Sequence, residues 1–245
     1  MGAMIRGRLA IGGLVVIALL AVAVACGGGD EEGTAVPSPG ATGTPAGAPT
    51  ATPSAVEQQL RGMVLQLSDL PAGFSLAEES FSTNQDVAGS GDDAPSVLAK
   101  LSEWGRILGH GVVFSPEASS ASGILLVDST ASLYQSDGGA ATSFADAVNT
   151  ARTTDWQASV GEAKDVQVEE VPPLDVADEM LWFRISGTAI IGEPAAEQPF
   201  VQDVVLLRVG RGRGSVSIVS ENANAAQLVE SMIRTQAANM AAGIR

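Results

Sequence analysis

One cysteine, one histidine, ten aromatic side chains and 13 basic residues against 28 acidic ones leave little material for several common chemistries. A single Cys allows no intramolecular disulfide and no Cys-based zinc or iron–sulfur cage. A single His allows at most one His-based dyad and no His-rich metal site. The formal net charge is −15, and residues 1–25, which hold Arg6 and Arg8 but no acid, leave −17 on the remainder. Binding to nucleic acid draws on clustered Lys and Arg to release counterions, so this balance argues against such a partner. There is no Gly-x-Ser-x-Gly nucleophile elbow. The run Gly210-Arg211-Gly212-Arg213-Gly214 lacks the Lys-Ser/Thr that completes a phosphate-binding loop, and it precedes a strand. The sequence assigns no catalytic residue, no cofactor and no metal ligand.

What is present begins with an export pattern. Two arginines in MGAMIRGR precede an uncharged run from Leu9 to Ala25, followed by Cys26. This is the charged and apolar arrangement of a secretory signal. The junction Ala23-Val24-Ala25-Cys26-Gly27 resembles a bacterial lipobox, in which the cysteine thiol is diacylated and the chain is cut just before it. Ala23 stands where such boxes usually carry Leu. Lipidation gives the lone thiol of an exported protein a use other than intermolecular oxidation. The competing readings are an uncleaved anchor, although the run falls short of the ~20 residues a span needs, and simple secretion.

Residues 27–55 are a tether. Gly, Pro, Thr, Ser and Ala fill 25 of these 29 positions, and no aromatic residue occurs. Such a stretch cannot bury enough apolar area to offset its ordering entropy. As a coil it spans roughly 30 Å, enough to hold a domain off a membrane.

Residues 56–245 read as a single α+β domain, a mainly antiparallel twisted sheet packed by helices. Val56, Leu60, Met63, Val64 and Leu67 predict one face of a first helix, stopped by Asp69-Leu70-Pro71-Ala72-Gly73. A second helix is expected over Ala94–Leu108, ended by Gly109-His110-Gly111, with a short strand at Val112–Phe114. Gly123–Tyr134 is mostly strand-like, and Asp137 is a plausible N-cap for a helix burying Ala141, Phe144, Ala145 and Val148. Candidate strands follow at Val166–Val171, Met180–Ile185, Phe200–Val209 and Ser215–Ser220, the last two joined by the Gly210–Gly214 hairpin. A closing helix over Asn224–Ala242 aligns Ala225, Leu228, Val229, Met232, Gln236 and Met240. Residues 164–220 lack the strand–helix alternation of a doubly wound fold.

The segment Leu67-Ser68-Asp69-Leu70-Pro71-Ala72-Gly73-Phe74 after a first helix, the long strand before an Ala-rich helix, Asp175-Val176-Ala177-Asp178-Glu179-Met180, the late hairpin and the closing helix resemble small actinobacterial and chloroflexal cell-envelope lipoproteins. Their soluble domains are similar to the extracellular sensor domain of a mycobacterial serine/threonine kinase and, more loosely, to PsbP-like sandwiches. The resemblance implies a ligand- or partner-binding envelope domain with no family catalytic residue to carry over. The disulfides of that sensor domain have no counterpart here.

Two residues are candidates for a binding patch. His110, between two glycines, titrates near neutrality but equally fits a turn that exposes a histidine. Trp156 follows Thr-Thr-Asp and reads as more exposed than Trp104 and Trp182, which fit core faces. Asp92-Asp93 reads as a solvated loop, because the twelve-residue calcium pattern is missing. The pairs Glu78-Glu79, Glu169-Glu170 and Asp178-Glu179 cannot act as pairs on strands, where neighbours point to opposite faces. The expected function is a lipid-anchored, extracytoplasmic, non-enzymatic domain that binds a small amphipathic ligand or an envelope protein. The alternatives are an envelope hydrolase using dispersed carboxylates, or an accessory subunit of a membrane complex. A deep pocket between helix and sheet favours the ligand reading, clustered acids in a cleft favour the hydrolase, and a flat apolar patch favours a protein partner.

Overall fold

A computed structural model of the chain describes residues 54–89, 93–117, 122–161, 163–191, 196–221 and 225–244. Cys26, the tether up to Pro53 and Asp92 lie outside the described residues. Among the described residues there are seven strands: β1 (Phe74–Ser82), β2 (Arg106–Pro116), β3 (Ile124–Tyr134), β4 (Ala163–Val171), β5 (Glu179–Ile191), β6 (Ala196–Val209) and β7 (Gly212–Ser220). Six α-helices accompany them: α1 (Ala55–Arg61), α2 (Asn84–Gly89), α3 (Ala94–Glu103), α4 (Asp137–Thr153), α5 (Trp156–Ser159) and α6 (Ala226–Gly243). The strands form one sheet in the order β1-β2-β3-β7-β6-β5-β4, antiparallel at every step. This is the α+β architecture expected from the sequence, with β1, α2 and the short α5 added where no element was expected.

The sheet is covered on both faces, and the alternation of side chains along each strand sorts the apolar residues into two cores. On the first face α1 and α6 cover Val112, Phe114, Val127, Leu133, Val205, Leu207, Val216 and Ile218. On the second face α4 and α5 cover Leu181, Phe183, Ile185, Phe200, Val204 and Leu206. All residues of both cores lie between Val56 and Ile244, so this segment contains the apolar burial that holds it together.

Local signals hold where nothing tertiary opposes them. Ser54 and Glu57 form a capping box at the start of α1, with Glu57 N donating to Ser54 Oγ at 3.2 Å and Ser54 N to Glu57 Oε2 at 2.7 Å. The helix is shorter than its apolar spacing predicts, ending at Gly62. Beyond it the buried Met63-Val64-Leu65 segment is held by side chains from other elements. Gln236 Nε2 donates to Met63 O at 3.0 Å, Asn239 Nδ2 to Val64 O at 3.1 Å, and Leu65 N to Ser129 Oγ at 3.0 Å. These bonds occupy backbone groups that a continuing helix would use itself. Leu67, expected on the buried face, sits in a 3₁₀ turn (Leu67–Asp69) and is 49% exposed.

The second expected helix is also shorter. It ends at Glu103, Gly105 adopts φ +68°, and the chain enters β2 at Arg106. Gly109-His110-Gly111, read as a helix stop or turn, therefore lies mid-strand. In α4 the N-cap is Ser136, whose Oγ accepts from Gly139 N at 3.1 Å, not Asp137. Its buried face is Ala140, Ser143, Phe144, Ala147 and Ala151: Phe144 is buried as expected and Val148 packs partly buried against the core, whereas Ala140 and Ala147 take the places expected of Ala141 and Ala145. In α6 Gln236 is buried as the spacing implied, whereas Leu228 is 38% exposed and Ile233 and Ala237 take the core.

Candidate ligand-binding groove

The second face of the sheet is only half covered by a packed core. Over β1, β2 and β3, with Arg213 of β7 at one edge, it forms the floor of a cavity of about 610 Å³, walled by α3 on one side and α4 on the other. Lys100 of α3 reaches Asp146 of α4 at 3.6 Å.

The floor follows from strand register. Paired residues project to the same side, so three rows run across the four strands: Glu78, Val113, Asp128 and Ser217; then Ser80, Gly111, Thr130 and Ser215; then Ser82, Gly109, Ser132 and Arg213. Of the second and third rows, Ser80, Gly111, Thr130, Ser82, Gly109 and Ser132 line the cavity, and these small side chains leave the space open. Val87, Val97, Leu101, Trp104 and Ala147 contribute apolar wall. Trp104, expected in a core, therefore closes α3 at the groove, half-buried.

One end of the groove is cationic. A register shift between Arg106 and Leu108 turns the Arg106 side chain to the same side as Gly109, over which its guanidinium lies; a Cβ at Gly109 would collide with Arg106 Nη2. Arg106 is 8% exposed and bonds only to neutral groups. Its Nη2 donates to Ser82 Oγ at 2.8 Å, Nη1 to Ser82 O and Asn84 Oδ1 at 3.1 Å each, and Nε to Ser132 Oγ at 3.3 Å. Arg213 Nη1 donates to Ser143 Oγ at 2.9 Å and to Ser143 O at 3.3 Å, and Ser143 Oγ is 2.6 Å from Tyr134 OH. Burial pulls the Arg106 guanidinium down to about 10; Tyr134 opposes the fall, the Arg213 charge adds to it, and the Asp86 carboxylate opposes it more weakly.

Neither arginine has a carboxylate within ion-pair distance, although Asp86 acts on Arg106 from further off. Among the described residues Arg61, Arg152, Arg184, Arg208 and Arg234 each sit within ion-pair distance of Asp or Glu. The described arginines that do not are Arg106, Arg213 and Arg211, whose Nη1 donates to Tyr134 O at 3.4 Å. In a chain of net charge −15, the unpaired arginines thus gather around one tyrosine.

The other end carries acid. Asp128 lies four residues before Ser132 on β3, about 13 Å away along the strand. Burial raises its carboxyl to about 7, and nearby Glu78 adds to the shift.

Of the two residues expected to mark a binding patch, Trp156 lies away from the groove, whereas His110 is among the residues that line it. Trp156 is 6% exposed: its ring packs 6.1 Å from that of Phe183, and Nε1 donates to Ala151 O at 3.0 Å, so the exposure read from its polar neighbours is corrected. His110 is 3% exposed, and its ring points to the first face, away from the groove floor formed by its glycine neighbours. There it stacks on Phe81 at 4.4 Å, and Nε2 lies 3.1 Å from Glu79 Oε1, which also accepts from Arg61 Nε at 2.8 Å. Burial lowers the His110 pKa, opposed by Glu79.

Glu78 and Glu79 point to opposite faces, as alternation requires. Asp178 and Glu179 do converge, both on Arg208, because Asp178 precedes the strand. In the Gly210–Gly214 run only Gly210 and Arg211 form the turn, Gly210 with φ +50°. Gly214 faces α6, where a Cβ would lie 2.7 Å from Met240 Sδ, which leaves Arg213 facing the groove. Period-two alternation through GHG and GRGRG was the sequence signal for this arrangement, and it is hidden by glycine's other role in turns.

Among the described residues no three His, Cys, Asp or Glu side chains form a metal-ligand group, and no helix is long and apolar enough to cross a membrane. No family model matches the chain. No curated protein matches it. A solved structure to which it is similar is the extracellular domain of PknH from Mycobacterium tuberculosis, with 9% identity over 74% of this chain and 95% of that one and a TM-score of 0.47.

Proposed function

We propose that this protein is an exported, non-enzymatic binding module, tethered to the cell membrane through lipid on Cys26, whose groove takes a small amphipathic ligand. The observation that carries the reading is the cavity of about 610 Å³ itself. It lies within the ~300–1,000 Å³ range of small-molecule sites and combines apolar wall with a few convergent polar groups. Export and anchoring rest on the charged start, the apolar run and the small residues before Cys26; the tether of residues 27–55 gives the domain reach from the membrane.

The test is native mass spectrometry of the protein purified from its own membrane. A co-purifying small amphiphile released on denaturation is the expected result. Recovery with neither lipid nor ligand refutes the reading.

One observation favours a second reading. Asp128 and Glu78 share a floor row, with Asp128 raised to about 7, as in sites where one carboxyl donates a proton and another remains ionised. Their Cα atoms lie two strands apart, about 10 Å. A hydrolase would turn over ester or glycoside reporters and lose that turnover in Asp128→Asn; a binding module gives no turnover above a protein-free blank.

A further inference from the structure

We infer that the groove is an oxyanion receptor at its Tyr134 end: the ligand is a single-chain amphiphile whose carboxylate or phosphate head sits between Arg106 and Arg213, with its tail along the α3 wall. The inference rests on the reading of the groove as a ligand site and adds the chemistry of the head group.

The donor count supports it. A guanidinium has five N–H donors. Arg213 uses only Nη1 among the described residues, leaving Nε–H and both protons of Nη2, the fork that matches an oxyanion with two parallel bonds. Arg106 has one proton on Nη2 beyond those given to Ser82 and Asn84. Both side chains line the cavity. The neighbouring hydroxyls make local bonds: Ser132 with Arg106, and Thr130 Oγ1 with Ser215 Oγ at 2.6 Å. Ser82 and Ser132 accept from Arg106 and keep their own O–H protons, so these hydroxyls can add neutral donors beside the charged ones.

Charge points the same way. The Arg213 charge acts unfavourably on the buried Arg106 guanidinium, and each arginine elsewhere in the described domain apart from Arg211 has an acid beside it. The acids lining the cavity are occupied or remote: Asp146 holds Lys100, Asp93 caps α3, and Asp128 and Glu78 stand at the other end. An anionic head supplies the missing countercharge, while Val97, Leu101 and Trp104 offer apolar surface to a tail. The acidic row at the far end disfavours a ligand carrying anions at both ends.

The experiment uses residues 54–245, which contain both cores; a cooperative thermal transition confirms that the segment is folded. Decanoate, decyl phosphate and decanol are titrated below their aggregation limits, with tryptophan fluorescence and calorimetry as independent readouts. At least one anion is expected to bind at least tenfold more tightly than decanol, the factor for roughly one charge-assisted contact. This comparison needs no variant. Arg213→Gln should abolish the difference while leaving decanol affinity within about twofold, and Arg213→Lys should recover only part of it. Equal affinity of alcohol and anions overturns the head-group assignment and leaves the groove reading standing. Binding of none of the three overturns both. A preference for anions that survives unchanged in a folded Arg213→Gln protein also overturns the assignment.

Discussion

Asp128→Asn gives a sharp test of the groove's electrostatics, because burial makes the wild-type acid a liability at high pH and a neutral group at low pH. The carboxyl moves from 3.8 to about 7 in the folded protein. Between these values the folded state holds a proton that the unfolded state has lost, so unfolding free energy falls as pH rises. At 1.36 kcal/mol per pH unit, the ceiling on this loss is about 4 kcal/mol, complete above about pH 7. Groove water relaxes part of the penalty, so the expected gain for Asn at pH 8 is roughly 1–3 kcal/mol. In a domain of this size that raises Tm by about 2–4 °C per kcal/mol. At pH 4 the acid is largely protonated and resembles the amide, so the two proteins should melt together. His110 works in the opposite direction: its folded pKa is lowered, so its contribution is lost as pH falls below about 6.5. That effect is common to both proteins and cancels in the difference between them. Urea denaturation of wild type and Asp128→Asn at pH 4, 6 and 8 reads the result. An Asn variant less stable than wild type at pH 8, or a difference independent of pH, would refute the reasoning.

Gln236→Leu should lose roughly 3 kcal/mol in the same urea assay, because it strands Met63 O, Thr130 O and the Ser129 hydroxyl in a fully buried knot; a loss below 1 kcal/mol would mean that the knot contributes little. Gly139→Ala discriminates by sign: helix propensity alone predicts a gain of about 1 kcal/mol, whereas a Cβ there would collide with the Trp104 carbonyl oxygen, so a loss of about 1–3 kcal/mol is expected. Cys26→Ala in the full chain should abolish incorporation of radiolabelled palmitate; incorporation that persists in the variant places the lipid elsewhere.

How far the fold was legible depended on whether local signals met opposition. Strands β3, β5, β6 and β7 followed their apolar patterns, and the antiparallel α+β class followed from hairpins without regular helix alternation. The first helix was overextended because Met63, Val64 and Leu65 have helical spacing but are captured by Gln236, Asn239 and Ser129 from distant parts of the chain. The segment Phe74–Ser82 went unread because its acidic middle, Glu78-Glu79, lacks apolar alternation; it is an edge strand, with its acids on opposite faces. Trp156 was misread because neighbouring polar residues say nothing about a ring that packs against a strand well along the chain.

By itself the sequence determined composition-level facts: one thiol placed after an apolar run, a Gly-, Pro-, Thr- and Ala-rich stretch after it, a strong excess of acid, and too few His and Cys for their usual chemistries. These depend on counts and local order, which no folding can alter. The groove was decided by tertiary structure, because its floor consists of residues that share a face only once strand register is set. A one-residue shift would exchange Gly109 for His110 and Ser132 for Leu133. The unpaired arginines, Arg106 and Arg213, stand 107 positions apart in a chain with acids in excess. Only the bulge at the start of β2 and the pairing of β3 with β7 bring them to one end of one cavity, where neither has a carboxylate within ion-pair distance.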